Sequence, residues 1–313
     1  MSTVTHRLTT ALLLGALGVA SGLGCDGGGE GVQAAVPDVL ADAATDAPAA
    51  PEVTAPAAST SKLVVLDRLG FAPETSPGVG DGFDLDGRVS GPGDPGGCFE
   101  PDLVSPAGLP GVDNKLGTLL PLFAVAGIGA ADALLQNSVD EGGLLLMMQI
   151  DGVDDLRDDD SVTITVRTGQ GKPLMATDGL ILPGQTFHLR PDSPDTRTES
   201  GRIEGGILTA GPVDTWLRVR VLGLDYELPV HGAWIRGRVT EEGGLADGVI
   251  GAGVAITDLQ KIGDRDSAVG GAMELLFAEG GDLAPDATGA CQQVSASLAF
   301  TAVSAFLFED PEP

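Results

Sequence analysis

Carboxylates spaced along a stretch that cannot form regular structure are the raw material of a site for a hard cation. From Asp81 to Asn114 the sequence reads DGFDLDGRVSGPGDPGGCFEPDLVSPAGLPGVDN. Within it, FDLDGR sets Asp84 and Asp86 two apart ahead of Gly87, the back half of a D-x-D-x-D-G calcium loop. The front acid is missing, because Gly82 stands two before Asp84 and Asp81 is one position out of register. Calcium takes about six to eight oxygens, so distant groups must complete the shell. The expected ligands of a divalent cation, calcium by preference, are therefore drawn from Asp81, Asp84, Asp86, Asp102, Asp113 and Asn114. The competing reading of these residues is a set of solvated turn carboxylates that cap neighbouring elements.

The same stretch carries Cys98, and a loop this long needs an external clamp. Of the three cysteines, Cys25 follows an apolar run near the start, while Cys98 and Cys291 lie in the body of the chain. An even pair in an exported chain reads as a disulfide, so a Cys98–Cys291 bond is expected, with two buried free thiols as the alternative. The two are 193 residues apart. Closing such a loop constrains the unfolded chain by roughly 5 kcal/mol on the loop-entropy model.

Export is read from the first residues. Arg7 precedes ALLLGALGVA, Ala11 to Ala20, a short uncharged segment that suits a signal peptide over residues 1–24 and not a permanent membrane span. The following SGLGC, Ser21 to Cys25, resembles the lipobox of bacterial lipoproteins, in which the cysteine is acylated and becomes the mature N-terminus. That family usually has Leu three residues before the cysteine; Gly22 holds the place here, and Leu23 comes one later. The resemblance implies a lipid on Cys25 and attachment to the cell envelope, at the outer membrane or cell surface. Cleavage without acylation, giving a secreted or periplasmic protein, is the alternative. Asp26 to Ser61 contains Gly, Ala, Pro, Thr and acids with no aromatic residue, so residues 25–61 are expected to be a lipidated cysteine and a disordered tether. A coil of about 36 residues spans roughly 30 to 35 Å.

Residues 62–310 then read as one mainly β domain, sandwich-like and mostly antiparallel, with a short tail at 311–313. KLVVL, Lys62 to Leu66, is the first strand-like run. Short helices are expected near 113–140, capped by Asp113 or Asn114 and interrupted at Pro121 and Gly127 to Gly129, and at 267–279. LLLMMQI, Leu144 to Ile150, is apolar throughout, as in a strand buried on both faces. Val162, Ile164 and Val166 alternate with polar residues in a second strand. DGVDDLRDDDS, Asp151 to Ser161, reads as a charged hairpin end in preference to a second cation site. Ile203 to Leu208, Trp216 to Leu222, Leu224 to Val230 and Ala233 to Thr240 are four further strand candidates. Arg218, Arg220, Arg236 and Arg238 fall on their outer faces and are expected to pair with surface acids such as Asp225 and Glu227. Gly243 to Asp258 is a turn and a Gly-rich apolar segment that allows close backbone approach, and Val294 to Phe308 closes the domain as a long strand or strand pair.

DGFDLDGRVS, Cys98, GVDNKLG at Gly111 to Gly117, IDGVDDL at Ile150 to Leu156 and CQQVSASLAFTAV at Cys291 to Val303 together resemble a family of predicted exported lipoproteins of the myxobacterial type. The resemblance covers most of the chain after Lys62. That family has no characterised activity, so the likeness implies an exported lipoprotein and supplies no catalytic residue. Some of its members are richer in Asp before the last cysteine; LAPDATGAC here keeps Asp282 and Asp286.

Charge narrows the partners. With 17 basic and 45 acidic residues, the net charge is -28, which disfavours nucleic acid and a polybasic contact with anionic lipid. Two histidines beyond His6, no G-x-S-x-G elbow and no zinc spacing leave carboxylate-dependent hydrolysis as the one enzymatic alternative. Two Trp and one Tyr give a polysaccharide cleft few platforms. A non-catalytic binding or structural domain is the preferred reading, with a protein or glycan partner of unknown identity, and carriage of an apolar ligand by the runs at Leu116 and Leu144 is a third.

Overall fold

The computed structural model describes residues 60–125, 131–221, 224–263 and 280–308, all within one compact unit, Ala55–Pro313. The signal peptide, Cys25, the tether up to residue 59, the helix expected at 267–279 and the 311–313 tail lie outside the described residues.

Valine-rich and alternating runs make long strands, and those strands close on themselves. The first, β1 (Thr60–Phe71), starts two residues before the expected boundary. Four very short strands follow: β2 (Glu74–Ser76), β3 (Val79–Gly80), β4 (Leu103–Val104) and β5 (Pro110–Val112). Then come α1 (Lys115–Val125), α2 (Ala131–Asp140), β6 (Leu146–Val153), β7 (Asp159–Gln170), β8 (Gln185–Leu189) and β9 (Thr196–Glu204). The last described elements are β10 (Ile207–Val221), β11 (Leu224–Val239), β12 (Leu245–Ala255), α3 (Ile256–Gly263), β13 (Leu283–Pro285) and β14 (Cys291–Leu307).

The fold is mainly β and antiparallel, as composition and alternation imply. Its sheet returns to its own start: β1 pairs β6, then β7, β9, β10, β11, β12 and β14 follow in turn, and β14 pairs β1 again, every pairing antiparallel. The expected sandwich is thus one closed ring. An eight-stranded ring has an interior that side chains just fill, and Val64, Leu66, Met148, Ile164, Leu208 and Val294 fill it here. Leu144 to Met148 are all buried, as expected of a strand covered on both faces, and with Leu116 they belong to one continuous core. Beside the ring, β2 to β5 form a separate small sheet, so the loop expected to lack regular structure contains short ladders.

Other local expectations change for identifiable reasons. Ile203 to Leu208 is the turn between β9 and β10, because Gly205 and Gly206 both adopt positive φ, 57° and 80°, the requirement of a two-residue hairpin turn. Leu224 to Val230 and Ala233 to Thr240 merge into β11, with Gly232 at φ 59° absorbing the irregularity between them. Pro121 lies inside α1 instead of ending it. The acidic segment at 154–158 is a hairpin end, where Asp159 accepts hydrogen bonds from the Asp154 and Ser161 amides at 2.7 and 3.0 Å.

Two side chains of α2 substitute for a missing strand. Leu69 and Phe71 of β1 donate their amides to Gln136 Oε1 at 3.0 Å and Asp132 Oδ1 at 2.7 Å. Gln136 Nε2 returns a bond to the Asp67 carbonyl, where the β1–β14 register shifts. An unpaired strand edge is costly to bury, and these amide and carboxylate groups satisfy it.

Asn114 is the junction between ring and loop. It is 2% exposed, and its Oδ1 caps α1 by accepting from Gly117 N at 3.1 Å while also accepting from Ser297 N of β14 at 3.0 Å. Its Nδ2 donates to the Ala72 carbonyl at 2.7 Å. Asn114→Ala removes a helix cap and strands two buried backbone groups, so a loss of about 3 kcal/mol is expected in urea unfolding. A loss below about 0.5 kcal/mol would place Asn114 among ordinary surface positions.

Candidate metal centre

The loop from Asp81 to Asn114 has a narrow neck. Asp113 N donates to the Phe83 carbonyl at 2.9 Å, and Asp113 Oδ2 accepts from Leu85 N at 2.6 Å, so the two limbs meet where they leave the ring. This closure brings together Asp84, Asp86 and Asp113, each with a carboxylate oxygen within 4.8 Å of the others. Asp84 and Asp86 are exposed, and Asp113 is 4% exposed.

Backbone amides orient all three. Asp84 Oδ1 accepts from Gly87 N at 2.7 Å and Arg88 N at 3.1 Å, and Asp86 Oδ1 accepts from Arg88 N at 2.9 Å. Because each carboxylate is fixed through one oxygen, the second oxygen of each is left for another partner. Three hard oxygen donors with no nitrogen or sulfur among them fit calcium or magnesium and do not fit zinc.

The electrostatics of the cluster match that donor set. Burial pushes the Asp113 carboxyl up to about 8 against the opposing pull of the Leu85 amide, and the charges of Asp86, Asp102 and Asp282 add to the rise. Asp102 is also raised, by burial first and then by Asp86, Asp84 and Asp94, with the Ser90 amide acting the other way. Like charges this close disfavour full ionisation unless a cation joins them.

The other expected ligands serve the scaffold. Asp81 forms an ion pair with Arg236 of β11 at 2.6 Å, and the guanidinium lies 5.2 Å over the Phe83 ring. Phe83 stacks on Trp234 with ring centroids 6.2 Å apart. Asp102 Oδ2 accepts from Ser90 N at 2.6 Å, which ties the far limb of the loop to the near one. Asn114 spends its side chain on Gly117, Ser297 and Ala72. Of the six residues, the fold gathers Asp84, Asp86 and Asp113 and leaves Asp81, Asp102 and Asn114 to hold the loop in place.

The loop is also attached near its tip. Cys98 and Cys291 stand at disulfide distance, with Cα atoms 6.1 Å apart. At its base, Gly82 lies so close to β14 that a Cβ there would meet Ser297 Oγ at 2.5 Å, and Gly251 of β12 leaves room for the Phe83 ring, which a Cβ would meet at 2.7 Å. Gly251 of β12 thus forms the seat for Phe83 at the start of the loop. Arg236, Phe83 and Trp234 were the residues that sequence reasoning missed. Alternation put Arg236 on the outer face, but its acid lies 155 residues earlier.

Behind Asp113 opens a cleft of about 320 Å³ lined by Glu74, Glu100, Asp102, Asp113, Lys115 and Asp282 among others. Lys115 Nζ pairs with Glu100 at 2.7 Å. Asp282 is raised by burial, opposed by bonds from the Ser295 hydroxyl and amide and by the Lys115 charge. Asp286 is an exposed turn residue that accepts from Thr288 and Ala290. The outer arginines pair with acids: Arg218 with Asp192 and Glu227, and Arg238 with Asp247.

Comparison with protein-family models, with curated proteins and with solved structures finds no match to this chain.

The raised Asp113 fixes a sign for pH dependence. Between the ordinary carboxylate value of 3.8 and about 8, the unfolded chain has lost a proton that the folded Asp113 keeps. Stability therefore falls as pH rises through that window in calcium-free buffer, and Asp102 and Asp282 act in the same direction. Asp113→Asn keeps an acceptor for Leu85 N and removes the titration. Chemical unfolding at about pH 5 and about pH 8 is expected to show a smaller drop in the variant than in the wild type. Equal slopes would mean that Asp113 titrates normally.

Proposed function

We propose that this chain is an exported protein, anchored in the cell envelope by a lipid on Cys25, whose domain from Lys62 onward is a non-catalytic binding or structural module stabilised by calcium and by a Cys98–Cys291 disulfide. The observation that carries the calcium assignment is the approach of Asp84, Asp86 and Asp113 to within 4.8 Å, each oriented by a backbone amide. The ion joins the two limbs of the loop at their neck and offsets the repulsion among the carboxylates. Calcium prefers about six to eight oxygens, and three carboxylates supply the charged part of such a shell.

Export is supported by the signal-like start, by the SGLGC segment and by the resemblance to myxobacterial-type lipoproteins. A cysteine pair at bonding distance suits an oxidising compartment. No helix among the described residues is long and apolar enough to cross a membrane, so attachment in this reading rests on the acyl chain.

Asp113 also favours a second reading, carboxylate-dependent hydrolysis. A carboxyl raised to about 8 at the edge of a cleft is suited to donate a proton, with Asp84 or Asp86 as the second carboxyl of the pair. Among the described residues, no aromatic side chain lines that cleft. Turnover of chromogenic glycosides by the wild type, lost in Asp113→Asn, would establish the enzyme.

Calcium titration followed by thermal melting tests the preferred reading. Saturation to a hundred times Kd stabilises by about 2.7 kcal/mol, equivalent to several degrees. The expected result is an upward shift at millimolar calcium that vanishes in Asp84→Asn/Asp86→Asn. An unmoved wild-type melt would leave these acids as turn residues. For the anchor, labelled palmitate is expected to enter the wild type and not Cys25→Ala; an unlabelled wild type would instead indicate a secreted or periplasmic protein.

A further inference from the structure

We propose that the loop between Asp84 and Val112 is an interaction surface for a basic polypeptide segment carrying apolar side chains, an inference that rests on the binding-module reading and names its partner class.

Three braced segments of the loop each hold one large apolar side chain in water. Val89 is 62% exposed, Phe99 64% and Leu109 67%. Phe99 follows a short 3-10 turn, donates its amide to the Asp94 carbonyl at 2.8 Å, and lies one residue from Cys98. Leu109 closes the turn between β4 and β5, where its carbonyl accepts from Ser105 N at 2.7 Å and its amide donates to Ser105 Oγ at 3.0 Å. Val89 is next to Ser90, whose amide and carbonyl are both bonded to Asp102. Their exposure therefore belongs to backbone held by hydrogen bonds, and such preorganisation lowers the entropic cost of association. Val89 also borders the carboxylate cluster. A Cβ on Gly111 would lie 3.3 Å from Val89 Cγ2 and 3.4 Å from Asp84 Oδ2.

Charge selects the occupant. Residues 84–112 contain Asp84, Asp86, Asp94, Glu100 and Asp102 against Arg88, and Lys115 from α1 pairs with Glu100. One bound calcium leaves this surface negative. It repels nucleic acid and anionic lipid and attracts Lys or Arg, while the three apolar side chains select for a partner that is more than a polycation.

Position fits a partner facing away from the point of attachment. The chain enters the domain at Thr60, the first residue of β1, and that strand runs about 36 Å at the usual rise per residue before the loop begins beyond Phe71. Leu63 pairs with Ala305 near the entry end and Phe71 with Leu298 near the other, so Cys291 and the loop joined to it lie at the end remote from Thr60.

The test uses the full chain with calcium present and three synthetic peptides of equal length, alternating Lys/Leu, Lys/Ser and Glu/Leu, with fluorescence anisotropy at physiological salt. The Lys/Leu peptide is expected to bind about ten-fold more tightly than Lys/Ser, an advantage of about 1.4 kcal/mol. Val89→Ser/Phe99→Ser/Leu109→Ser leaves every charge in place and should abolish that advantage without moving the thermal melt. Phe306→Ser/Phe308→Ser, changed at the other end of β14, should keep it. An undiminished advantage in the loop variant overturns this surface and leaves the binding-module reading standing. Wild-type binding to phosphatidylglycerol vesicles in place of the Lys/Leu peptide, or self-association lost in the loop variant, overturns the choice of partner. Failure of the underlying reading is distinct, because it appears as glycoside turnover by the wild type.

Discussion

Two hydrogen bonds into one buried oxygen join the ring to the loop. Asn114 Oδ1 receives the Gly117 amide of α1 and the Ser297 amide of β14, and the neighbouring Lys115 amide reaches Ser295 Oγ at 2.7 Å. A Gly- and Pro-rich segment has no ladder of its own long enough to fix its shape, so its conformation is set by such attachments. Asn114 holds the C-terminal limb, Arg236 holds Asp81 at the start, and Cys98 stands beside Cys291 near the tip. Two of these attachments reach β14, at Ser297 and Cys291, and the third reaches β11. The loop consequently inherits the rigidity of the ring.

That rigidity permits an arrangement that electrostatics opposes. Like charge opposes the approach of Asp84, Asp86 and Asp113, whose hydrogen-bond partners among the described residues are backbone amides. The ring keeps them close and buries Asp113, and that burial raises its carboxyl, with the charges of Asp86, Asp102 and Asp282 adding to the rise. The same geometry is what a protonated carboxyl in an acid–base pair would need. Chemistry, and not shape alone, separates a cation site from a catalytic one here.

Much of the body was legible in the sequence. Val162, Ile164 and Val166 alternate and are buried, and Leu144 to Met148 are apolar and enclosed. The capping rule is local and narrows the cap of α1 to Asp113 or Asn114, of which the fold uses Asn114. Where the reading went astray, local cues misled: Gly205-Gly206 carried the hairpin signal inside an apolar run, and Pro121 marked a helix end that the helix passes through. Of the candidate ligands, Asp84 and Asp86 followed from a motif. Asp113 could only be one acid among several, because its approach to them depends on the Phe83 pairing at the neck.

The amino-acid sequence by itself determined a strand-rich domain, an acidic character, a cysteine pair and a loop too rich in Gly and Pro to stand alone. These follow from composition and from periodicities of a few residues, which act within a short reach along the chain. Tertiary structure decided that the strands close into a ring, that three of six acidic or amide candidates converge, and that Asp81 belongs to Arg236. Those outcomes depend on residues as far apart as Asn114 and Ser297, which meet only when β1 and β14 have paired and their register is set.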